Sequence, residues 1–304
     1  LDPLIEDRKS MLLNDLMRSL IFVVALYVIC RFSLIEKQKR YVIPVLALVI
    51  LIDLWSFSRN YVNSEDFANK SVMQRPFQTT AADRAILNDS TRYRVFEPRL
   101  GMAHARTAYF HNTIGGYHGA KPHRMQALYD YHLSETITPN IVNMLNIKYT
   151  IQTSEEGSLS AGLNPNAYGN AWLVEEVISC RSADDEIRRL ATENLTKTAL
   201  TTESIPQREF VLDSLSSISL FAHKANELRY KASVSSTAFA VFSEMHYPHG
   251  WQAYINEVEV PHFRVNYALR GLIIPAGQHD VVFRFEPDII ARGTRIQLAG
   301  YGIF

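Results

Sequence analysis

Two uninterrupted apolar runs stand close together before Asn60, Leu20 to Cys30 (LIFVVALYVIC) and Tyr41 to Phe57 (YVIPVLALVILIDLWSF). A spanning helix needs roughly 20 predominantly apolar residues, and the first run approaches that length once Ser19 to Leu34 is counted with it. Tyr41 and Trp55 supply interfacial aromatics for the second. This spacing predicts a transmembrane helical hairpin with spans over 19–34 and 41–57; a hairpin buried in a soluble core is the competing reading. The mixed charge ahead of the first run (Asp2, Glu6, Asp7, Arg8, Lys9, Asp15, Arg18) and the second run behind it argue against a signal peptide. In the joining loop Arg31, Lys37, Lys39 and Arg40 face only Glu36. The positive-inside bias therefore puts the loop in the cytoplasm and everything from Arg59 onward on the outer, extracytoplasmic side.

The chain has 304 residues and 31 Lys+Arg against 31 Asp+Glu. Zero formal net charge argues against a nucleic-acid binder that runs on bulk charge. Only Cys30 and Cys180 are present, so neither a disulfide framework nor a cysteine zinc site can be drawn. The start at Leu1 rather than Met, and the stretch from Ile296 to Phe304 (IQLAGYGIF) that turns apolar, lead to the expectation of a piece of a longer protein. On that expectation 288–304 is the lead-in to a truncated last spanning helix.

Between these ends two textures alternate. Over 59–206 helix starts mix with short strands. Thr80-Ala-Ala-Asp83 reads as a capping-box-like start before Ile86 and Leu87, and Tyr93 to Phe96 as a strand closed by Pro98. Pro122 fits the first turn of a helix whose Met125, Leu128, Tyr129 and His132 share a face; Thr138-Pro139 opens another helix, and 148–151 returns as a strand. A further strand covers 172–178, and Ser182 with Asp185 caps a helix carrying Ile187, Leu190 and Ala191 on one face. Over 207–287 only strands are signalled, at 217–221, 228–234, 239–243, 251–255, 272–274 and 279–285, which suggests an antiparallel β-sandwich. The predicted fold class is thus membrane-anchored α+β: a hairpin (1–58), an extracytoplasmic mixed α/β domain (59–206) and a C-terminal β-sandwich (207–287).

The most unusual local string runs from His111 to Pro122 (HNTIGGYHGAKP). Its glycine-rich backbone, the following helix start and Lys121 suit a phosphate, so Gly115, Gly116, Tyr117, His118, Lys121 and His111 are candidate substrate- or phosphate-binding residues. Neither a P-loop nor a dinucleotide fingerprint is spelled, and a tight glycine turn that holds the domain together is the structural alternative. His104, His111 and His118 recur every seven positions, yet no HExxH or Cys/His pattern occurs, so no metal site is assigned. Tyr247 and Trp251 lie in an aromatic string on which a sugar ring could stack, against the alternative that Trp251 packs the core. Asp53 is an ionisable group near the outer end of the second span, either functional or a water-exposed cap. No GxSxG elbow is present.

Several strings together resemble one family. DLW from Asp53, RNYVNSEDF from Arg59, GGYHGAK from Gly115, NMLNIKY from Asn143, NAWLVEEV from Asn170, YPHGWQAY from Tyr247 and PAGQH from Pro275 resemble the C-terminal part of YfhO-type bacterial membrane proteins. The resemblance covers most of 53–287. It implies a polytopic glycosyltransferase of the GT-C architecture in the bacterial cytoplasmic (inner) membrane, transferring a sugar from a polyprenyl-phosphate carrier to a cell-envelope glycan. This chain would then be the accessory or acceptor-positioning portion, facing the lipid bilayer and no nucleic acid. The family's catalytic acids belong to a first outer loop that this sequence does not contain, no cofactor is evident in the fragment, and the metal dependence of the parent stays open. Related chains carry Asp-Gly where this one has Asn256-Glu257, so a tight primed turn is not required there, and Ala is common where Gly119 stands. A non-catalytic membrane-anchored glycan-binding or assembly module is the alternative, and a membrane-anchored hydrolase ranks third.

Overall fold

The computed structural model describes residues 2–33, 39–59 and 61–302. They form two compact units, Leu1–Arg75 and Pro76–Phe304. In the first, α1 (Asp2–Ser33) and α2 (Lys39–Ser58) are long apolar helices. Each contains a segment long and apolar enough to cross a membrane, Ile5–Phe32 and Arg40–Ser58, with no part of its most apolar window buried. Helix α1 starts far ahead of the expected 19–34 because no glycine interrupts 4–18 and Pro3 sits in the first turn, where a missing N–H costs no helical bond. Leu34, Glu36 and Lys37 of the basic loop lie outside the described residues. Arg18 pairs with the Asp53 carboxylate and donates to the Asp53 carbonyl oxygen at 3.0 Å, which ties α1 to α2. A short helix, α3 (Lys70–Gln74), ends this unit.

The second unit is mixed α/β. It runs α4 (Ala81–Leu87), β1 (Arg94–Phe96), α5 (Ala105–Phe110), α6 (His123–His132), α7 (Pro139–Met144), β2 (Ile147–Thr153), β3 (Leu159–Leu163), β4 (Ala171–Val174), β5 (Glu176–Ser179), α8 (Ala183–Arg189) and β6 (Thr198–Thr201). It continues with β7 (Ser217–Lys224), β8 (Glu227–Val234), β9 (Ala238–Met245), β10 (Trp251–Ile255), β11 (Val258–Val260), β12 (Phe263–Val265), β13 (Leu269–Ile274), β14 (Gly277–Phe285) and α9 (Asp288–Tyr301). Local chemistry sets the helix starts. Thr80 and Asp83 exchange the two bonds of a capping box, Ser182 accepts from the Asp185 amide, and Pro139 takes the first position of α7. Met125, Leu128 and His132 are the buried face of α6.

The strands form a five-stranded antiparallel sheet in the order β11-β10-β14-β8-β7, a four-stranded antiparallel sheet β12-β13-β9-β4, a mixed sheet β1-β2-β3 and a parallel pair β5-β6. One apolar cluster draws on both large sheets, with Tyr230, Val281 and Phe283 from one and Ala240, Phe242 and Leu272 from the other. A second cluster lies against Phe239 and Val241 of β9 and the buried faces of α6, α7 and α8.

Three features add to or differ from the expectations. The single strand expected over 172–178 breaks at Glu175, whose amide turns to the Lys197 carbonyl at 2.7 Å; β4 joins β9 and β5 joins β6. Because β4 and β9 share a sheet, the boundary expected at 206 falls inside one compact unit. The turn at Asn256-Glu257 is a two-residue hairpin with both residues left-handed (φ 50° and 66°), the primed geometry that a sequence without glycine did not require. Asn256 accepts from the Asp280 amide at 3.0 Å and bonds the His279 ring, while Arg284 donates to Glu257 at 2.7 Å; these contacts offset the backbone strain. Where a lead-in to a last span is expected, Asp288–Tyr301 form α9, with Ile289, Ile290, Ile296, Leu298 and Tyr301 exposed, and Ile303 and Phe304 lie outside the described residues.

Phe283 is fully buried between the large sheets, with the Phe242 ring at 4.8 Å and the Tyr230 ring at 6.3 Å. Phe283→Ala is expected to cost about 3–5 kcal/mol through the lost transfer energy and the cavity left behind, measured by urea unfolding of the full chain in detergent.

Candidate functional site

The loop from His111 to Lys121 is built into the fold from both sides. The Val95 amide donates to Asn112 O at 2.8 Å, and Thr113 forms a parallel bridge with Val95 at the edge of β1. Gly115 presses onto Met102 so closely that a Cβ there would stand 2.2 Å from the Met102 carbonyl oxygen. Gly116 has φ 153° and donates its amide to that same carbonyl at 2.9 Å. The Gly115 amide turns to Thr113 Oγ1 at 3.3 Å, and the His118 amide to the Gly116 carbonyl at 3.1 Å. These amides are committed within the chain and do not form the expected phosphate cradle; the glycines serve the tight turn. Gly119 has open space around its Cα, and Tyr117 is 83% exposed.

His111 goes inward. Its side chain is 2% exposed, and its Nε2 lies 3.0 Å from Asp83 Oδ1. Arg106 pairs with the other oxygen of Asp83 and reaches Glu97 at 3.2 Å, while the Thr107 hydroxyl donates to Glu97 at 2.7 Å. His111 therefore anchors the loop to α4 and is not presented to a ligand. Burial pushes the Asp83 carboxyl up, but the Thr80 hydroxyl and amide, His111 and Arg106 together hold it below its ordinary value.

What the loop does frame is a cavity of about 230 Å³. Met102, Met125, Met245 and Leu145 make its walls apolar, and Arg94, His118 and Lys121 supply cationic or basic groups. Arg94 is fully engaged, donating to the Leu145 and Ser243 carbonyls at 2.9 and 2.6 Å and to Glu244 at 3.0 Å. Lys121 has no ion-pair partner among the described residues, and His118 is exposed. Ser243 is buried and spends its hydroxyl on the Met144 carbonyl at 2.5 Å, so it is not a nucleophile. The arrangement can bind an anionic or amphiphilic group. Sequence reasoning found Gly115, His118 and Lys121 here and missed Met125, one turn beyond Lys121, and Arg94, Met102 and Met245, which lie farther off in the chain.

The other candidates separate. Trp251 carries the Arg270 guanidinium over its ring at 4.2 Å and packs beside Phe285 at 5.4 Å, so one side of the expected sugar platform is covered. Tyr247 is 45% exposed, stands beside His249, and lines a groove of about 520 Å³ near the start of α9. Asp53 is the partner of Arg18. His104 caps α5 by accepting from the Arg106 amide, so the three histidines spaced by seven have three unrelated settings. Among the described residues no three His, Cys, Asp or Glu side chains gather as a metal ion would need. No protein-family profile, curated protein or solved structure matches this chain.

Asp83→Asn is expected to destabilise the second unit by roughly 1.5–3 kcal/mol, the value of charge-assisted hydrogen bonds, seen as an earlier urea midpoint. With the folded carboxyl held below 3.8, the wild-type contribution is complete above that pH and lost as pH falls through the folded value. The variant should lack that part of the acid dependence.

Proposed function

We propose that this chain is the C-terminal part of a YfhO-type bacterial membrane glycosyltransferase of the GT-C architecture. Its hairpin lies in the cytoplasmic membrane and residues after about 58 are extracytoplasmic, where the two large sheets act as a β-sandwich. The unburied apolar surface of α1 and α2 supports the membrane assignment, and the cluster shared by the two sheets supports the sandwich. The sequence strings quoted above are the ground for sugar transfer from a polyprenyl-phosphate carrier to an envelope acceptor. Within that reaction this portion positions the acceptor or the carrier phosphate, and the catalytic acids belong to the rest of the parent protein. The observation that carries the role is the Lys121 and His118 edge of a cavity whose walls include Met102, Met125, Met245 and Leu145. An ammonium group there attracts a phosphate while the apolar wall accepts the adjoining carbon chain.

Lys121→Ala in the intact protein is expected to lower transfer of labelled sugar about tenfold or more, the loss of one charge-assisted contact, with its membrane level unchanged. Unaltered transfer removes Lys121 from this role. A second reading, a non-catalytic glycan-binding or assembly module, is favoured by the exposed Tyr247 on its groove. It expects calorimetric binding of an envelope polysaccharide by the full chain and its loss in Tyr247→Ala; heat-free mixing with every envelope glycan counts against it.

A further inference from the structure

The space between the two large sheets is apolar along most of its length and cationic at one end. Arg264 and Arg270 stand directly opposite each other in β12 and β13, so both side chains leave the sheet on one face. It is the face from which Leu272 and Ile274 enter the shared cluster. Like charges paired across strands repel. Arg270 is 2% exposed; its Nε donates to the Met245 carbonyl at 2.8 Å, and its guanidinium lies 4.2 Å from the Trp251 ring centre and 5.1 Å from that of Phe283. The same Phe283 ring meets His262 edge-on at 5.8 Å, and the His246 ring follows 5.1 Å beyond.

Among the buried groups that lack a hydrogen-bond partner at this end, donors outnumber acceptors, of which the Tyr230 hydroxyl bears on Arg270. Arg270 Nη1, Arg264 Nε and His262 Nε2 are buried and without a hydrogen-bond partner among the described residues. An arginine can only donate. Of the acids that bear on these arginines, Glu244 is spent on Arg92 and Arg94 and Glu203 on Arg264 Nη1 at 3.3 Å, while buried Glu186 lies 4.0 Å from Arg124 and keeps its Oε2 without a hydrogen-bond partner among the described residues. Burial first, then Arg264 and Arg270, hold His246 at about 4; burial first, then His246 and Arg270, hold His262 at about 4. Both rings are thus neutral at pH 7, and the His262 tautomer protonated at Nε2 adds a donor. Two facing imidazoles could suit a metal ion, but the guanidiniums beside them repel a cation.

We propose that this end of the inter-sheet space binds a small oxyanion, a phosphate or a carboxylate, with Arg270 and Arg264 supplying the charge and His262 a third donor. The site is independent of the Lys121 cavity, and it stands whether or not the parent transfers sugar.

The test is ¹⁹F NMR of the full chain in lipid nanodiscs, labelled with 5-fluorotryptophan, titrated with sodium phosphate and separately with sodium glucuronate at constant ionic strength. Trp251→Phe assigns the Trp251 resonance, and Trp172, whose indole donates to Leu195 O at 2.8 Å, reports on the fold. The expected result is a saturable shift of the Trp251 resonance by at least one anion with Trp172 unmoved. Whichever anion acts names the source. Binding should weaken about tenfold or more in Arg264→Gln, the loss of a charge-assisted contact, and vanish in Arg270→Leu. If Arg270→Leu does not fold, the half-buried Arg264→Gln decides alone. No saturable shift with either anion, a shift untouched by Arg264→Gln, or a response to zinc alone would each overturn the site.

Discussion

Burial of β9 on both faces is the constraint from which the second unit is organised. Residues 238–242 (AFAVF) are all fully buried: Ala238, Ala240 and Phe242 enter the cluster between the large sheets, while Phe239 and Val241 enter the cluster against the helices. A strand buried this way must be hydrogen-bonded at both edges, and β13 and β4 supply the partners. Gly271, opposite Val241, makes the packing feasible, since a Cβ there would stand 2.5 Å from the Phe239 ring. Where the apolar run of β9 ends, the functional candidates begin. Ser243, Glu244 and Met245 fix Arg94, help wall the cavity beside Lys121, and hold the Nε of Arg270.

Charge in the interior is handled in two opposite ways. Around Asp83 the carboxylates of Asp83 and Glu97 meet Arg106, His111 and two threonines, and each charged group has a partner. That network fastens α4, α5 and the glycine loop together. At the end of the inter-sheet space guanidiniums outnumber carboxylates, and buried donors are left over. Satisfied networks of the first kind stabilise; unsatisfied ones cost free energy unless something else completes them.

Features that depend on a few neighbouring residues were legible in the sequence. The Thr80 and Ser182 caps, Pro139 at the start of α7, the buried stripe of α6 and strand β10 all follow from rules that span a turn or two. Features fixed by distant partners were not. Nothing local marks Glu175 as a break, because the break exists to meet Lys197. The three-residue strands β11 and β12 are too short to show a period. The glycine loop was visible as a glycine loop, yet its form is dictated by Met102, and its amides are consumed by that packing. His111 looked like a ligand-binding residue until Asp83, remote in sequence, claimed it. Arg264 and Arg270 are unremarkable until the β12 and β13 register sets them face to face.

The bond between Arg18 and Asp53 bears on how the hairpin reaches the bilayer proposed for it. An unpaired arginine or aspartate in a spanning helix is unfavourable, by roughly 2.5–3.5 kcal/mol at the bilayer centre and by less toward the interface, where Asp53 would lie. Here each helix carries the group that neutralises the other. If the hairpin spans a bilayer, the pair favours its two helices entering together. The same bond sets the axial alignment of the two helices, because a slip of one turn, about 5.4 Å, would break the pair.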